Sequence, residues 1–519
     1  MRTGTLRSPI NIILIALILS GIVIRFIHLG TKEFWHDETY SLFNASGLTA
    51  YGQVYGSTFD HNDLVARNDL PHVIDACLVN DGGNGFFHSV VLHYWMLIAP
   101  HTTTWLRLPS AILGVIVILL VIAMTHDLFG DRRMSLVAGV FCSWSVLLLQ
   151  GSIDLRGYTL AAALALASTW CLFRILLKSG GRWMYISHAG FAALALLSHY
   201  TTVYIFIGHL LVALLLARDR KIWAGLMIGG SVVIVLVAVW LANGGLDGYA
   251  VLAARNDQYI AQVKADPDIN TFFQATRPST LVEGIAVQSL WASGNGLQYI
   301  GPQLRYIMLL LFLPAALMLW ALRNAERGRR RRLMLALLIM AVMSMAFAVV
   351  LALNSGHTIS FFSRYALFSL PFWCMAMAVG ASARPDRPTF SWLGPTFGAL
   401  TLAIGIWSAI ISLDPSSRSI VGPDRYSQQR IILDAALAAT SRCEPELIHG
   451  SFTSAFLLNL VAWDEEWNMI PQRVEPESDS YTEVGSMGAC SFSPIVIVAH
   501  DGLYTRSEPK DPIDDVTWH

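Results

Sequence analysis

The chain has 519 residues, 54% of them hydrophobic and only 14% charged, and its net charge is -1. This composition excludes a string of ordinary soluble domains and indicates a polytopic membrane protein, because runs of about 20 apolar residues recur along the chain. The charge balance gives no basis for a nucleic-acid partner, and the six cysteines show no CxxC or metal-ligand spacing.

In chain order, the first apolar run, Ile10–Ile27, is long enough to span and lacks a clear small-residue cleavage site. It reads as a retained signal anchor. A few residues later comes Phe34-Trp35-His36-Asp37-Glu38-Thr39-Tyr40, which places two adjacent carboxylates, a histidine and three aromatic rings at a membrane face. Paired carboxylates there can hold a cation, take a proton or orient a hydroxyl. A plain helix cap made by Asp37 or Glu38 is the competing reading. The run Phe86–Trp95 is too short to span comfortably and suits a helix lying in the interface, with Tyr94 and Trp95 at headgroup depth.

Further spans are expected near 107–128, 134–150, 158–177, 184–200, 202–217, 222–243, 303–322, 333–353, 364–380 and 392–413. With the first run at 9–29, that makes about eleven transmembrane helices. Placing the N-terminus inside puts Arg2 and Arg7, Arg132 and Arg133, Lys178 and Arg182, Arg218 to Lys221, the Arg329–Arg332 cluster, and Arg384 and Arg387 all in inside segments. The positive-inside rule therefore favours a cytoplasmic N-terminus. Three longer segments fall outside: about 30–106, about 244–301 and the tail from Asp414 to His519. The second is expected to be a loop with short helices, and it carries Arg255, Lys264 and Arg277.

The tail is polar and proline-rich, with a helix-like stretch at Tyr426–Thr440 and β-like runs at Glu446–Ser451 and Pro494–Ala499. The expected organisation is thus a transmembrane domain over 1–413 and a small α/β domain outside the membrane over 414–519. Cys443 and Cys490 both lie in this tail, where a disulfide and two buried thiols are the alternatives. Cys142, Cys171 and Cys374 lie in spans and read as packing residues.

The ionisable residues at the outer ends of spans are Asp37, Glu38, Arg107, Asp154, Arg156, His199 with Tyr200, His357, and Arg364 with Tyr365. Each charge placed in a span costs roughly 2.5–3.5 kcal/mol on insertion scales. For Arg107, Arg156 or Arg364 alone, interfacial snorkelling is the simpler reading. Together with Asp37, Glu38 and Asp154 at one face they point to a polar cavity for an anionic, lipid-linked substrate. Arginine forms bidentate contacts to phosphate, and a carboxylate can act as base or share a divalent cation with the phosphate. His188 and His209 read as buried hydrogen-bonding residues.

These motifs resemble the GT-C membrane glycosyltransferases of the protein O-mannosyltransferase and aminoarabinose-transferase type. The likeness is carried in order by Arg25-Phe26-Ile27-His28-Leu29-Gly30, Trp35-His36-Asp37-Glu38-Thr39-Tyr40-Ser41-Leu42, Leu92-His93-Tyr94-Trp95, Leu106-Arg107-Leu108-Pro109-Ser110, Asp154-Leu155-Arg156-Gly157-Tyr158, Ser198-His199-Tyr200 and Arg364-Tyr365. It covers about 1–413. The resemblance implies inverting transfer of a sugar from a polyprenyl-phosphate donor at the outer, periplasmic face of a bacterial cytoplasmic membrane. It implies Asp37 as catalytic base with Glu38 beside it, and Asp154 as a second acidic residue near the donor. Arg156 and Arg364 are then lipid-phosphate contacts, with Tyr365, His199 and Tyr200 in the same substrate-binding set. A divalent metal (Mg or Mn) would use Asp37 and Asp154. One departure is the loop before the interfacial helix, which reads Asp81-Gly82-Gly83-Asn84-Gly85 where the family usually has a Pro-Pro turn. A polytopic transporter or flippase for a lipid-linked or anionic substrate is the alternative function, and a non-enzymatic envelope scaffold is a third.

Overall fold

A computed structural model describes residues 8–31, 34, 36–49, 69–178, 181–265, 274–292, 312–325, 328–382 and 392–413, together with four short strands beyond 447. The chain divides into two compact units. One comprises Met1–His28 and Leu108–Asp414, and the other comprises Leu29–Arg107 and Pro415–His519.

The first unit is a bundle of apolar helices. Six helices among the described residues are long and apolar enough to cross a membrane: Pro9–Ile27, Thr103–Phe129, Tyr158–Leu177, Arg220–Ala265, Arg329–Ser355 and Leu393–Leu413. A seventh crossing is made if the bent pair Arg132–Ser143 and Val146–Ser152 counts as one span. The protein is therefore a multi-pass membrane protein. All eleven apolar runs read from the sequence contain helix, but several are shorter than expected.

The difference lies in breaks. The run 134–150 bends by 63° between Ser143 and Val146. The stretch at 199–202 leaves the α-helix at His199, whose extended backbone (φ -165, ψ 118) leads into a 3-10 turn at Tyr200–Thr202. The run 364–380 opens as a 3-10 turn, Ser363–Phe368, and becomes α-helical only from Leu370. Lipid offers no partners to a backbone that leaves the helix, so each break needs protein donors and acceptors. They are present: Arg25 Nη1 donates to the Ser143 carbonyl at 2.8 Å, Thr202 Oγ1 to the His199 carbonyl at 2.8 Å, and Tyr204 Oη to the Tyr365 carbonyl at 2.5 Å.

The segment after 243, expected to be a loop with short helices, contains two helices among its described residues. The Arg220–Trp240 helix runs through a wide turn at Leu241–Gly245 into a second helix, Leu246–Ala265. Asn243 and Gly244 leave helical geometry there, Gly244 at φ 110. The Asn243 side-chain amide donates to the Val239 carbonyl at 2.7 Å, which satisfies an acceptor the turn would otherwise strand. A further helix follows at Pro278–Ala292.

His188 and His209 are the buried hydrogen-bonding residues the sequence implied. His188 Nδ1 lies 2.8 Å from Ser168 Oγ, and His209 Nε2 lies 2.8 Å from Thr169 Oγ1. Cys142 and Cys374 are buried and Cys171 is half-buried, all three as free thiols.

The second unit contains the helices His36–Ser46, Leu70–Asp81 and Phe86–Met96. The last two are joined by the glycine-rich turn. Gly82, Gly83 and Gly85 take φ of 61°, 76° and 84°, a left-handed run that residues with a Cβ enter at a cost. Side chains then tie the three helices. Asn80 Nδ2 donates to the Leu48 carbonyl at 2.9 Å, and His93 Nδ1 lies 2.8 Å from the Ala45 carbonyl. In the tail, Ile448–Ser451 pairs in parallel with Met469–Gln472, and Glu483–Val484 pairs antiparallel with Ile495–Val496. The expected helix at 426–440 and the Cys443–Cys490 pair lie outside the described residues.

Small residues let the bundle close. A Cβ on Gly380 would overlap the Leu317 carbonyl, and one on Gly394 would lie 2.6 Å from the Gly380 carbonyl. Three helices thus meet backbone to backbone, the packing mode typical of apolar solvent. Gly380→Val should force the Phe312–Asn324 and Leu370–Ser382 helices apart and destabilise the protein by about 1–3 kcal/mol, seen as a lower thermal unfolding midpoint in detergent. Gly190→Ala, at a glycine with no heavy atom within 4 Å of the added Cβ, serves as the control with no such loss.

Candidate active site

The acidic motif opens a helix. His36–Ser46 carries Asp37 and Glu38 in its first turn, where unpaired backbone N–H groups and the positive end of the dipole favour carboxylates. The two side chains have different surroundings. Asp37 is half-buried, whereas Glu38 is fully buried. Arg107, in the first turns of the Thr103–Phe129 helix, donates from Nε to Glu38 Oε1 at 2.8 Å and from Nη2 to Glu38 Oε2 at 2.7 Å. Its Nη1 donates to the Leu29 carbonyl at 3.0 Å, and the Phe34 ring lies 4.9 Å below the guanidinium carbon. Arg107 is only 1% exposed, so it does not snorkel as its position near a helix end suggested. It is the bidentate partner of Glu38.

In the other unit a second group assembles at the helix breaks. The bent pair ends at Ser152, and the connection to the Tyr158–Lys178 helix holds Asp154 and Arg156, both half-buried. His199 is 5% exposed; its ring lies 5.2 Å from Tyr158, 5.9 Å from Tyr365 and 5.5 Å from Phe368. The Tyr158 and Tyr365 rings that flank this imidazole are also the ones that Arg156 and Arg364 rest on. Each guanidinium rests against aromatic faces: Arg156 over Tyr158 at 5.9 Å, and Arg364 over Phe362 at 4.9 Å and Tyr365 at 5.7 Å. Tyr204 Oη donates to the Tyr365 carbonyl at 2.5 Å, and Trp240 Nε1 donates to Tyr200 Oη at 2.9 Å.

The structure therefore brings Arg156, His199, Arg364 and Tyr365 together, with Asp154 two residues from Arg156. Asp37 and Glu38 belong to the other unit. Tyr158 and Phe368, which the motif reading did not single out for this role, line the same group; their aromatic type beside two arginines is the only sequence signal for them. Two guanidinium groups held on aromatic faces beside a buried imidazole can neutralise a phosphate dianion. Among the described residues no group of three or more His, Cys, Asp or Glu side chains could hold a metal ion.

Comparison with known proteins bears on this arrangement. Residues 85–242 match the family model described as dolichyl-phosphate-mannose-protein mannosyltransferase, a match that takes in the Phe86–Met96 helix, Arg107, Asp154, Arg156 and His199. The fold is similar to that of ArnT from Cupriavidus metallidurans in the apo state, at a TM-score of 0.51 and 13% identity over 87% of this chain and 85% of that one. The fold is thus ArnT-like. ArnT from the same organism bound to undecaprenyl phosphate is similar to this chain to the same extent, with a TM-score of 0.51 and 12% identity over 87% and 85% of the two chains. The oligosaccharyltransferase of Archaeoglobus fulgidus gives a TM-score of 0.46 at 14% identity, over 88% of this chain and 64% of that one. No curated protein matches the chain in sequence.

The buried pair gives a direct test. Arg107→Gln leaves the Glu38 carboxylate buried without its partner and should cost about 3–5 kcal/mol of stability. Adding Glu38→Gln should restore part of that loss, because the second change removes the uncompensated charge. Thermal unfolding of the single and double variants in detergent measures both.

Proposed function

We propose that this chain transfers a sugar, with inversion at the anomeric carbon, from a polyprenyl-phosphate donor to an acceptor at the outer face of the bacterial cytoplasmic membrane. The observation that carries the reading is that Arg156 and Arg364, from two separate helix breaks, rest on Tyr158 and Tyr365, the rings that flank His199. The family-model match and the fold fall on glycosyltransferases and not on transporters. The ArnT structure with bound undecaprenyl phosphate supports a polyprenyl-phosphate donor. Basic residues in the alternate loops, above all Arg329 to Arg332, support the orientation.

In this reading the acceptor nucleophile attacks the anomeric carbon. The carbon–oxygen bond to the lipid phosphate breaks, and its electron pair leaves with the phosphate. The acceptor proton passes to the Asp37 carboxylate. Glu38 already spends both oxygens on Arg107, so its part is to hold the first turn in which Asp37 sits. Arg156 and Arg364 bind the charge that develops on the departing phosphate, a contact that strengthens towards the transition state and so raises the rate. Their aromatic neighbours keep the guanidinium groups oriented before the substrate arrives. His199, Tyr200 and Tyr365 surround the donor headgroup. Asp154 sits beside this phosphate group as its second carboxylate. A divalent cation held by Asp154 would add to the same charge neutralisation.

Asp37→Asn should lower the transfer rate by about 10²–10⁴-fold, the usual worth of a positioned base, while leaving binding of undecaprenyl phosphate within about twofold. Arg156→Gln and Arg364→Gln should each weaken that binding. Radiolabelled sugar transfer from a polyprenyl-phosphate sugar in membranes, paired with lipid-phosphate binding, reads both effects. Transfer by Asp37→Asn at the wild-type rate would overturn the base assignment. Repeating the assay after chelation separates a phosphate site made by arginine alone from one that shares a cation with Asp154.

A further inference from the structure

We propose that Arg25 is a positioning residue for Asp154 and Arg156, acting through the bend between Ser143 and Val146 and through Ser152. The proposal rests on the role of Arg156 stated above.

Arg25 lies near the end of the apolar Pro9–Ile27 helix and is 0% exposed. A cation this deep in an apolar helix is retained only where it has partners and a task. Its guanidinium reaches both halves of the bent pair. Nη1 donates to the Ser143 carbonyl at 2.8 Å and also to the Gly21 carbonyl, and Nε donates to Ser152 Oγ at 3.2 Å. Ser143 is the last residue of Arg132–Ser143, where carbonyls lose their helical partners and the helix dipole is negative. Ser152 is the last residue of Val146–Ser152. One planar fork thus fixes the two C-terminal ends that define a 63° bend.

The approach is built for this contact. A Cβ on Gly21 would lie 3.0 Å from the Ser143 carbonyl, and one on Gly114 would overlap Ser152 Oγ. Trp144 adds a second tie to the same helix through the Leu17 carbonyl. Beyond Ser152 only Ile153 precedes Asp154, and the Ile153 N–H is itself bonded to the Gln150 carbonyl at 3.0 Å. Gly151 packs against Leu367 in the turn that carries Arg364, its Cβ position 3.1 Å from Leu367 Cδ2. Moving Ser152 therefore moves Asp154 and Arg156 relative to Arg364. Arg25 is far in sequence from any of these residues, and nothing places it against the phosphate group itself.

The test uses the full-length protein in lipid nanodiscs, with undecaprenyl phosphate as the binding probe. Arg25→Gln should weaken probe binding by about tenfold in the wild-type background, and by little more than nothing when Arg156 is already Gln. It should also raise hydrogen exchange across residues 153–157 while leaving the core of Tyr158–Lys178 protected. Arg25→Lys, which keeps the charge but not the fork, should recover part of the binding. Ser152→Ala removes the Nε acceptor, together with the Ser152 bond to the Leu148 carbonyl of its own helix, and should show the same coupling at smaller size; it stands in if Arg25→Gln does not fold. Additive losses in the double variant, or exchange at 153–157 that is unchanged or raised throughout the bundle, would overturn the proposal. If the wild-type protein neither transfers sugar nor binds the probe, the donor reading fails, and the local exchange result alone decides the role of Arg25.

Discussion

A backbone that leaves the helix inside a membrane must bring its own hydrogen-bond partners, and the described transmembrane bundle is arranged around that requirement. Interruptions in this bundle are stitched by side chains from other helices or from the turn itself. Arg25 and Trp144 serve the bend at Ser143, the His199 carbonyl accepts from Thr202, and Asn243 closes the wide turn before Leu246. The interruptions are costly to keep, and they coincide with the chemistry. Asp154, Arg156, His199, Arg364 and Tyr365 all sit at or just after a break. Helix ends expose N–H and C=O groups and let side chains project along the chain direction, which a continuous apolar helix does not permit.

Charge is handled in two ways. Glu38 and Arg107 neutralise each other in a bidentate pair that is sealed from solvent. Arg156 and Arg364 instead rest on Tyr158 and Tyr365, the rings that flank a buried imidazole. The first arrangement fixes structure, because both oxygens of the carboxylate are engaged. The second leaves positive charge gathered in one place, which an anionic group can compensate.

Much of this was legible in the sequence. The apolar runs marked where helices lie along the chain, and polar residues at their ends marked His199, Arg156 and Arg364 as a set. The breaks were less legible, because Val146–Ser152 and Leu370–Ser382 are as apolar as continuous spans and periodicity does not register a change of direction. The Glu38–Arg107 pair was missed because its members are 69 residues apart and an arginine near a helix end has a simpler local explanation. Arg25 was visible only as part of a motif, since its partners lie more than a hundred residues downstream. Long-range pairs of this kind carry no periodic signal at either position.

That separation has a consequence for biosynthesis. The Pro9–Ile27 helix emerges from the ribosome first, with its arginine in place, while Ser143 lies 118 residues behind Arg25. At ordinary elongation rates that interval is on the order of ten seconds. For that time the arginine has none of its downstream acceptors, so it depends on lipid headgroups, water or the insertion machinery. The first helix thus enters the bilayer as an unfinished element, and its final depth is set only when the bent pair arrives to take up the charge.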